Sequence, residues 1–361
     1  MLHQIQELKM DNKAKGMVQT VLGLRHPSEL GVTLTHEHLL IDLTCYFRMP
    51  EEATARAIVD KPITMEMLGS LRKHFYHSKD AQTMFDENLA VEEILKYKYA
   101  GGRSIVDTTS IGIARDPLAL ARISRATGLN IIMGGSYYVI DSHPEDMSHR
   151  TEDSLTEQIV KDVTIGVGDT GVKTGVIGEI GNYYPIGENE TKILRASAQA
   201  QVETGAPILI HPGIHPESPL QILKVLTDNG ASADNIIFGH LDNIRPMSAI
   251  KELASSGCYL EYDRFGAEDT SFEYESGEVS TTSVSDAQRL ESLDYLISEG
   301  LGSQITMAHD VCLKPETVRY GGRGFAHILD SIIPRMLKRG ISQQQIDAML
   351  IDNPAKALKF K

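Results

Sequence analysis

An α/β fold, a (β/α)₈ TIM barrel, is what the sequence predicts on three observations. Short apolar runs recur along the chain, helical segments separate them, and histidines and acidic residues gather where the runs end. The runs are Gly31–His36, Ser104–Thr108, Asn130–Gly134, Gly175–Ile180, Pro207–His211, Asn235–His240, Cys258–Asp263 and Gln304–His309. They are largely non-alternating, as expected of strands buried on both faces of a parallel sheet. The intervening segments carry helix punctuation. Asp116-Pro117 opens a helix that Gly128 closes, and Ser218-Pro219 to Gly230 repeats the grammar. Glu190–Thr204 reads as a helix closed by Gly205, and Pro246–Ser256 as one closed by Gly257. The same alternation could build a doubly wound open sheet, but no G-x-G-x-x-G follows an early strand. Strand ends spread over the whole order share one site only in a closed barrel.

The 361 residues read as one domain, 1–361, with residues 1–16 a polar N-terminal extension. Apolar content of 41% and 23% charged residues suit a globular enzyme. No apolar run reaches the roughly 18 residues a membrane span needs, and the N-terminus lacks the apolar core of a secretory signal, so a cytoplasmic location is expected. Cys45, Cys258 and Cys312 are too few and scattered for a disulfide framework or a thiolate zinc site. A net charge of −14 repels phosphate backbones and excludes nucleic acid as a partner. Residues 45–98 read as a helical insertion after strand 1, with helices Met65–Phe75 and Asn88–Tyr99, forming part of a lid. Residues 266–285 read as a solvated loop.

His36 and His38 lie in T-H-E-H, where a spacing of two puts both imidazoles on one face of a strand and Glu37 on the other. In a chain with thirteen histidines such a pair alone reads first as two exposed strand-end residues. His211, His240, Asp310 and Glu179 change the balance, because each lies at or beside the end of a further strand. Burying so many ionisable groups together is costly unless they coordinate something. Two divalent ions, +4, balanced by Glu179, Asp310 and a hydroxide, leave about +1. His36, His38 and Asp310 would take one ion, His211 and His240 the other, with Glu179 between them. A water shared by two such ions loses a proton near neutral pH and becomes a nucleophile. Asp310 is placed to accept that proton, so it is both ligand and catalytic base. Zinc is the first candidate; manganese, cobalt and iron suit the same N/O ligands.

The segments VQTVLG, LGVTLTHEHLLID, GVIGEIG, PILIHPG, FGHLDN, MAHDV and IDNPAKAL resemble, in order and spacing, the phosphotriesterase-like branch of the amidohydrolase superfamily. The resemblance runs from Met17 to the C-terminus, residues 17–361. CYLEYDRFG and KPETVRYGGRGFAHIL bring it closest to the phosphotriesterase-related group. Many branch members bridge their metals with a carboxylated lysine; here Gly178 and Glu179 occupy that stretch and Lys173 lies upstream. The resemblance implies an amidase that splits N-acetyltaurine into taurine and acetate, with other N-acetyl amino acids as secondary substrates, and a homodimer as an open assembly. An anionic N-acyl substrate needs cations or donors, for which Arg264, Lys314 and Arg319 are candidates, with Tyr183 and Tyr184 for the acetyl pocket. Solvated loop charges explain each of those cations equally well. Three alternatives stay open: a phosphotriesterase or lactonase with the same metals, a one-metal deaminase, and an inactive binding barrel.

Overall fold

All eight runs are strands in the computed structural model, which describes residues 13–268, 271–272 and 281–361. They are β1 (Thr33–Glu37), β2 (Ser104–Asp107), β3 (Asn130–Met133), β4 (Ile177–Gly181), β5 (Ile208–His211), β6 (Ile236–Phe238), β7 (Tyr259–Tyr262) and β8 (Ile305–Met307). They form two parallel sheets, β1-β2-β3 and β4-β5-β6-β7-β8, each in sequence order. In register, Ile105 lies opposite Ile131, Leu209 opposite Ile237, and Tyr262 opposite Met307. Hydrogen bonds also cross from one sheet to the other at both margins. Gly175 N–H donates to the Met133 carbonyl at 2.8 Å and Gly135 N–H to Gly178 at 2.8 Å; at the far side Asp310 N–H donates to His36 at 3.1 Å.

Strand alternation divides the apolar side chains into two cores. Val106, Ile132, Leu209 and Ile237, drawn from both sheets, pack with Val18, Leu30 and Leu358 in one fully buried cluster. The neighbours of opposite parity, including Ile105, Ile131, Ile208, Ile236 and Ile305, join the larger core beneath the helices. Each such side chain stabilises the fold by about 1.5–3 kcal/mol relative to exposure. The connecting helices are α1 (Glu87–Tyr99), α2 (Pro117–Thr127), α3 (Glu152–Thr164), α4 (Glu188–Thr204), α5 (Ser218–Asp228), α6 (Met247–Ala254) and α7 (Asp286–Ser298). Asp116 caps α2 through the Ala119 N–H, and Gly128 ends it at φ +70°, where a side chain would be strained.

The segment after β1 differs from expectation. Helix α1, expected as part of an insertion, carries the chain from β1 to β2 and is therefore a crossover. Met65–Phe75 is not one helix. Three-residue turns flank the single-turn helix Leu68–Leu71, where Gly69 and Ser70 are weak helix formers and Leu71 is the one buried residue. Ile41–Asp42 pairs antiparallel with Thr83–Met84, bringing the two ends of this segment together. In the expected 266–285 loop, Ser271–Phe272 pairs with Thr281–Thr282; its remaining middle and residues 1–12 lie outside the described residues. Among the described residues no helix is long and apolar enough to cross a membrane.

Candidate metal centre

The C-terminal ends of β1, β4, β5, β6 and β8 bring His36, His38, Glu179, His211, His240 and Asp310 into one cluster, with Glu179 at its middle. Glu179 Oε1 lies 3.2 Å from His38 Nε2. Its Oε2 lies 3.3 Å from His36 Nε2, 3.1 Å from His211 Nδ1 and 3.6 Å from His240 Nε2. Asp310 Oδ1 is 3.3 Å from His38 Nε2 and 3.9 Å from His36 Nε2. His36 Nε2 is buried and makes no hydrogen bond, which is costly for a polar atom facing carboxylates. His36, His38 and Asp310 offer ligand atoms within 4.8 Å of one another, and so do His36, Glu179 and His240. Imidazole nitrogens and carboxylate oxygens in such a group fit a divalent metal centre.

The electrostatics agree. Burial alone would lower His38, but hydrogen bonds to Asp310 and Glu179 outweigh it and push the imidazole up to about 9. For His240, burial is outweighed by Asp263 and Glu179, and the value rises to about 10. His36 is raised too, burial being overcome by Glu179 and Asp263, whereas His211 is lowered by burial and by His240 beside it. Despite burial, the surrounding imidazoles hold Glu179 well below the usual carboxylate range. A field that binds protons this firmly suits a cation equally well.

Several residues that would orient these candidate ligands escaped the sequence reading. Asp263 Oδ1 lies 2.9 Å from His240 Nδ1, and its Oδ2 lies 3.2 Å from His36 Nδ1. Glu261 Oε2 is 3.0 Å from the same His36 nitrogen, and Thr109 Oγ1 is 2.9 Å from His38 Nδ1. Such partners fix the tautomer and the ring plane of a ligating histidine. The signal was present in β7: E-x-D at 261 and 263 has the parity of His36 and His38, so both carboxylates share one face.

Beside the cluster a cavity is lined by Leu43, Tyr46, Phe75, Tyr138, Ile214 and Leu313, with Arg264 on its wall. Arg264 is buried; its Nη1 donates to Asp310 Oδ2 at 2.7 Å and its Nη2 to Glu316 Oε1 at 2.9 Å. The other four substrate candidates stand off this cavity. Lys314 pairs with Asp80, and Arg319 is exposed. The Tyr183 hydroxyl donates to Asp141 at 2.7 Å, while Tyr184 donates to Glu217 at 2.8 Å and stacks on His215.

Comparison with known proteins places this arrangement. The N-acetyltaurine hydrolase of Tetraodon nigroviridis is 41% identical over 348 residues, covering 96% of this chain and 99% of the relative. That of Homo sapiens is 39% identical with the same coverage. A resiniferatoxin-binding protein from Rhodobacter sphaeroides superposes with a TM-score of 0.89 at 32% identity, covering 95% of each chain. The fold is therefore an α/β fold of TIM-barrel type. The family model described as the Phosphotriesterase family matches residues 16–358, the span that contains every strand and every side chain of the cluster. This chain belongs to the phosphotriesterase family.

Proposed function

We propose that the chain is a metal-dependent amidohydrolase that cleaves N-acetyltaurine to taurine and acetate, and other N-acetyl amino acids more slowly. The site lies at the mouth of a closed (β/α)₈ barrel, partly roofed by residues 45–86. It would hold two divalent ions, with zinc the first candidate. The observation that carries the chemistry is the position of Glu179, whose Oε1 faces His38 and whose Oε2 faces His36, His211 and His240. His36, His38 and Asp310 would hold one ion and His211 and His240 the second, with Glu179 available to both. The substrate is supported by relatives named for that activity at 39–41% identity over nearly their whole length.

When bound, the ions supply Lewis acidity that polarises the scissile carbonyl and acidifies water. The protein's own groups do the rest. Burial would raise Asp310, but Arg264 and His38 overcome this and keep it ionised as a proton acceptor. From Asp310 the proton passes to the leaving amine, so the C–N bond breaks as the carboxylate is regenerated. Asp263 and Thr109 hold the imidazoles in place throughout, sparing reorganisation in the transition state.

One observation favours a second reading. The Arg264 guanidinium is engaged by Asp310 and Glu316, and the cavity beside the cluster is largely apolar and aromatic, which suits an uncharged lactone or phosphotriester. Taurine release from N-acetyltaurine by zinc-reconstituted protein, beside a chelated sample, separates the two. Metal-dependent release is expected. No release from loaded protein, with turnover of a lactone or phosphotriester, would replace the amide reading.

A further inference from the structure

Glu37 stands between two metal ligands, is fully buried, and has no part in the chemistry proposed above. We infer that Glu37 is a positioning residue that fixes the backbone of Asp310, an inference that rests on that proposed function. Its Oε1 accepts the His309 backbone N–H at 2.8 Å and lies 2.8 Å from His309 Nδ1. Its Oε2 accepts the Val311 N–H at 3.0 Å. Both neighbours of Asp310 are thus gripped by one carboxylate, while the N–H of Asp310 donates to the His36 carbonyl at 3.1 Å. His309 Nε2 accepts the Ile328 N–H at 2.9 Å, so its ring proton sits on Nδ1 and points at Glu37.

This grip has something to oppose. Asp310 holds φ +50°, in the left-handed region that side chains disfavour. Among the described residues only Ala114, Ser136 and His240 are other non-glycines with positive φ. Such a backbone persists where its surroundings over-determine it. His240, the second proposed ligand of that set at φ +57°, is held by a related clamp that acts on the residue itself. Asp263 Oδ2 accepts its backbone N–H at 2.9 Å and Oδ1 lies 2.9 Å from its ring. In each case a carboxylate from a neighbouring strand seizes a ring and a backbone amide together. Glutamate is required at 37 because donors approach both of its oxygens; glutamine would turn its amide donor toward one of them.

The test is Glu37→Gln in protein loaded with cobalt, read by kcat, KM, bound metal and the visible absorption of the cobalt. Expected are an unchanged fold by circular dichroism, unchanged metal content and KM, and kcat lower by about 10–100-fold, the scale on which misplacing a reacting group acts. The cobalt absorption should shift, since Asp310 sits differently. Normal kcat and absorption, with only a lower melting temperature, would overturn the inference. If Glu37→Gln does not fold, His309→Ala removes one of the three bonds. It should give the same spectral shift with a smaller loss of kcat, and an unchanged spectrum would again overturn the inference. The absorption needs no substrate, so failure of the amidase reading leaves this test standing.

Discussion

Asp310 is where the residue-scale argument concentrates, because it faces His38 through one oxygen and Arg264 through the other. Asp310→Asn keeps the shape and removes the proton acceptor. Metal content should be retained while kcat falls by about 10²–10⁴-fold. Near-normal turnover, measured beside metal analysis, would remove the assigned role. Proton and metal also compete here. Burial would lower His38 and His240, yet Asp310, Glu179 and Asp263 push them up to about 9 and about 10. At neutral pH a cation must displace those protons, so metal affinity should tighten as pH rises from 7 toward 9. Competition with a chelator at two pH values checks this; an affinity independent of pH would contradict it. That these six candidate ligands would cluster was legible in the sequence because each lies at or beside a strand end, a position that topology makes common to all. Arg264 was legible as a charge but not in its engagement, since Asp310 and Glu316 stand 46 and 52 residues away.

At the element scale the loops after β6 and β7 are tied to α7 by a buried ion network. Arg289 Nε donates to Asp242 Oδ2 at 2.6 Å and its Nη1 to Asp286 Oδ1 at 3.1 Å, with all three side chains fully buried. Asp242 also accepts the backbone N–H of Arg264 at 3.1 Å, so this network supports the wall of the cavity. Arg289→Met would leave Asp242 buried without a cationic partner, while Asp286 keeps His327 at 2.8 Å; it should cost about 3–5 kcal/mol, read as a lower midpoint of urea unfolding. A change below about 1 kcal/mol would show the network to be dispensable. Strand and crossover positions were readable because buried parallel strands and capped helices have strong local signatures. The segment between β1 and α1 was not. Gly69 breaks its helical pattern, and its shape follows from distant pairings such as Ile41 with Met84.

Over the whole molecule the two parallel sheets have a chemical end and a structural end. At the structural end the C-terminal residues return to the N-terminal segment: Gly16 N–H donates to the Phe360 carbonyl at 2.8 Å, and Phe360 N–H to Met17 at 2.9 Å. Leu358, fully buried, packs there against Val106 and Leu209. Leu358→Ala should destabilise the fold by about 2–5 kcal/mol and leave metal content per folded molecule unchanged, checked by urea unfolding and metal analysis. Loss of metal without loss of stability would mean the two ends are not separate. Substrate identity was the least legible property of all. It depends on how loops close over the cavity, and the candidate cation Lys314 is held by Asp80, a pairing that spacing along the chain does not reveal. The metal centre itself is most directly tested by anomalous X-ray scattering at the zinc edge from zinc-loaded crystals. Two peaks about 3.5–4 Å apart are expected, flanking Glu179, with His36, His38 and Asp310 on one and His211 and His240 on the other. A single peak, or zinc bound away from Glu179, would contradict the binuclear centre.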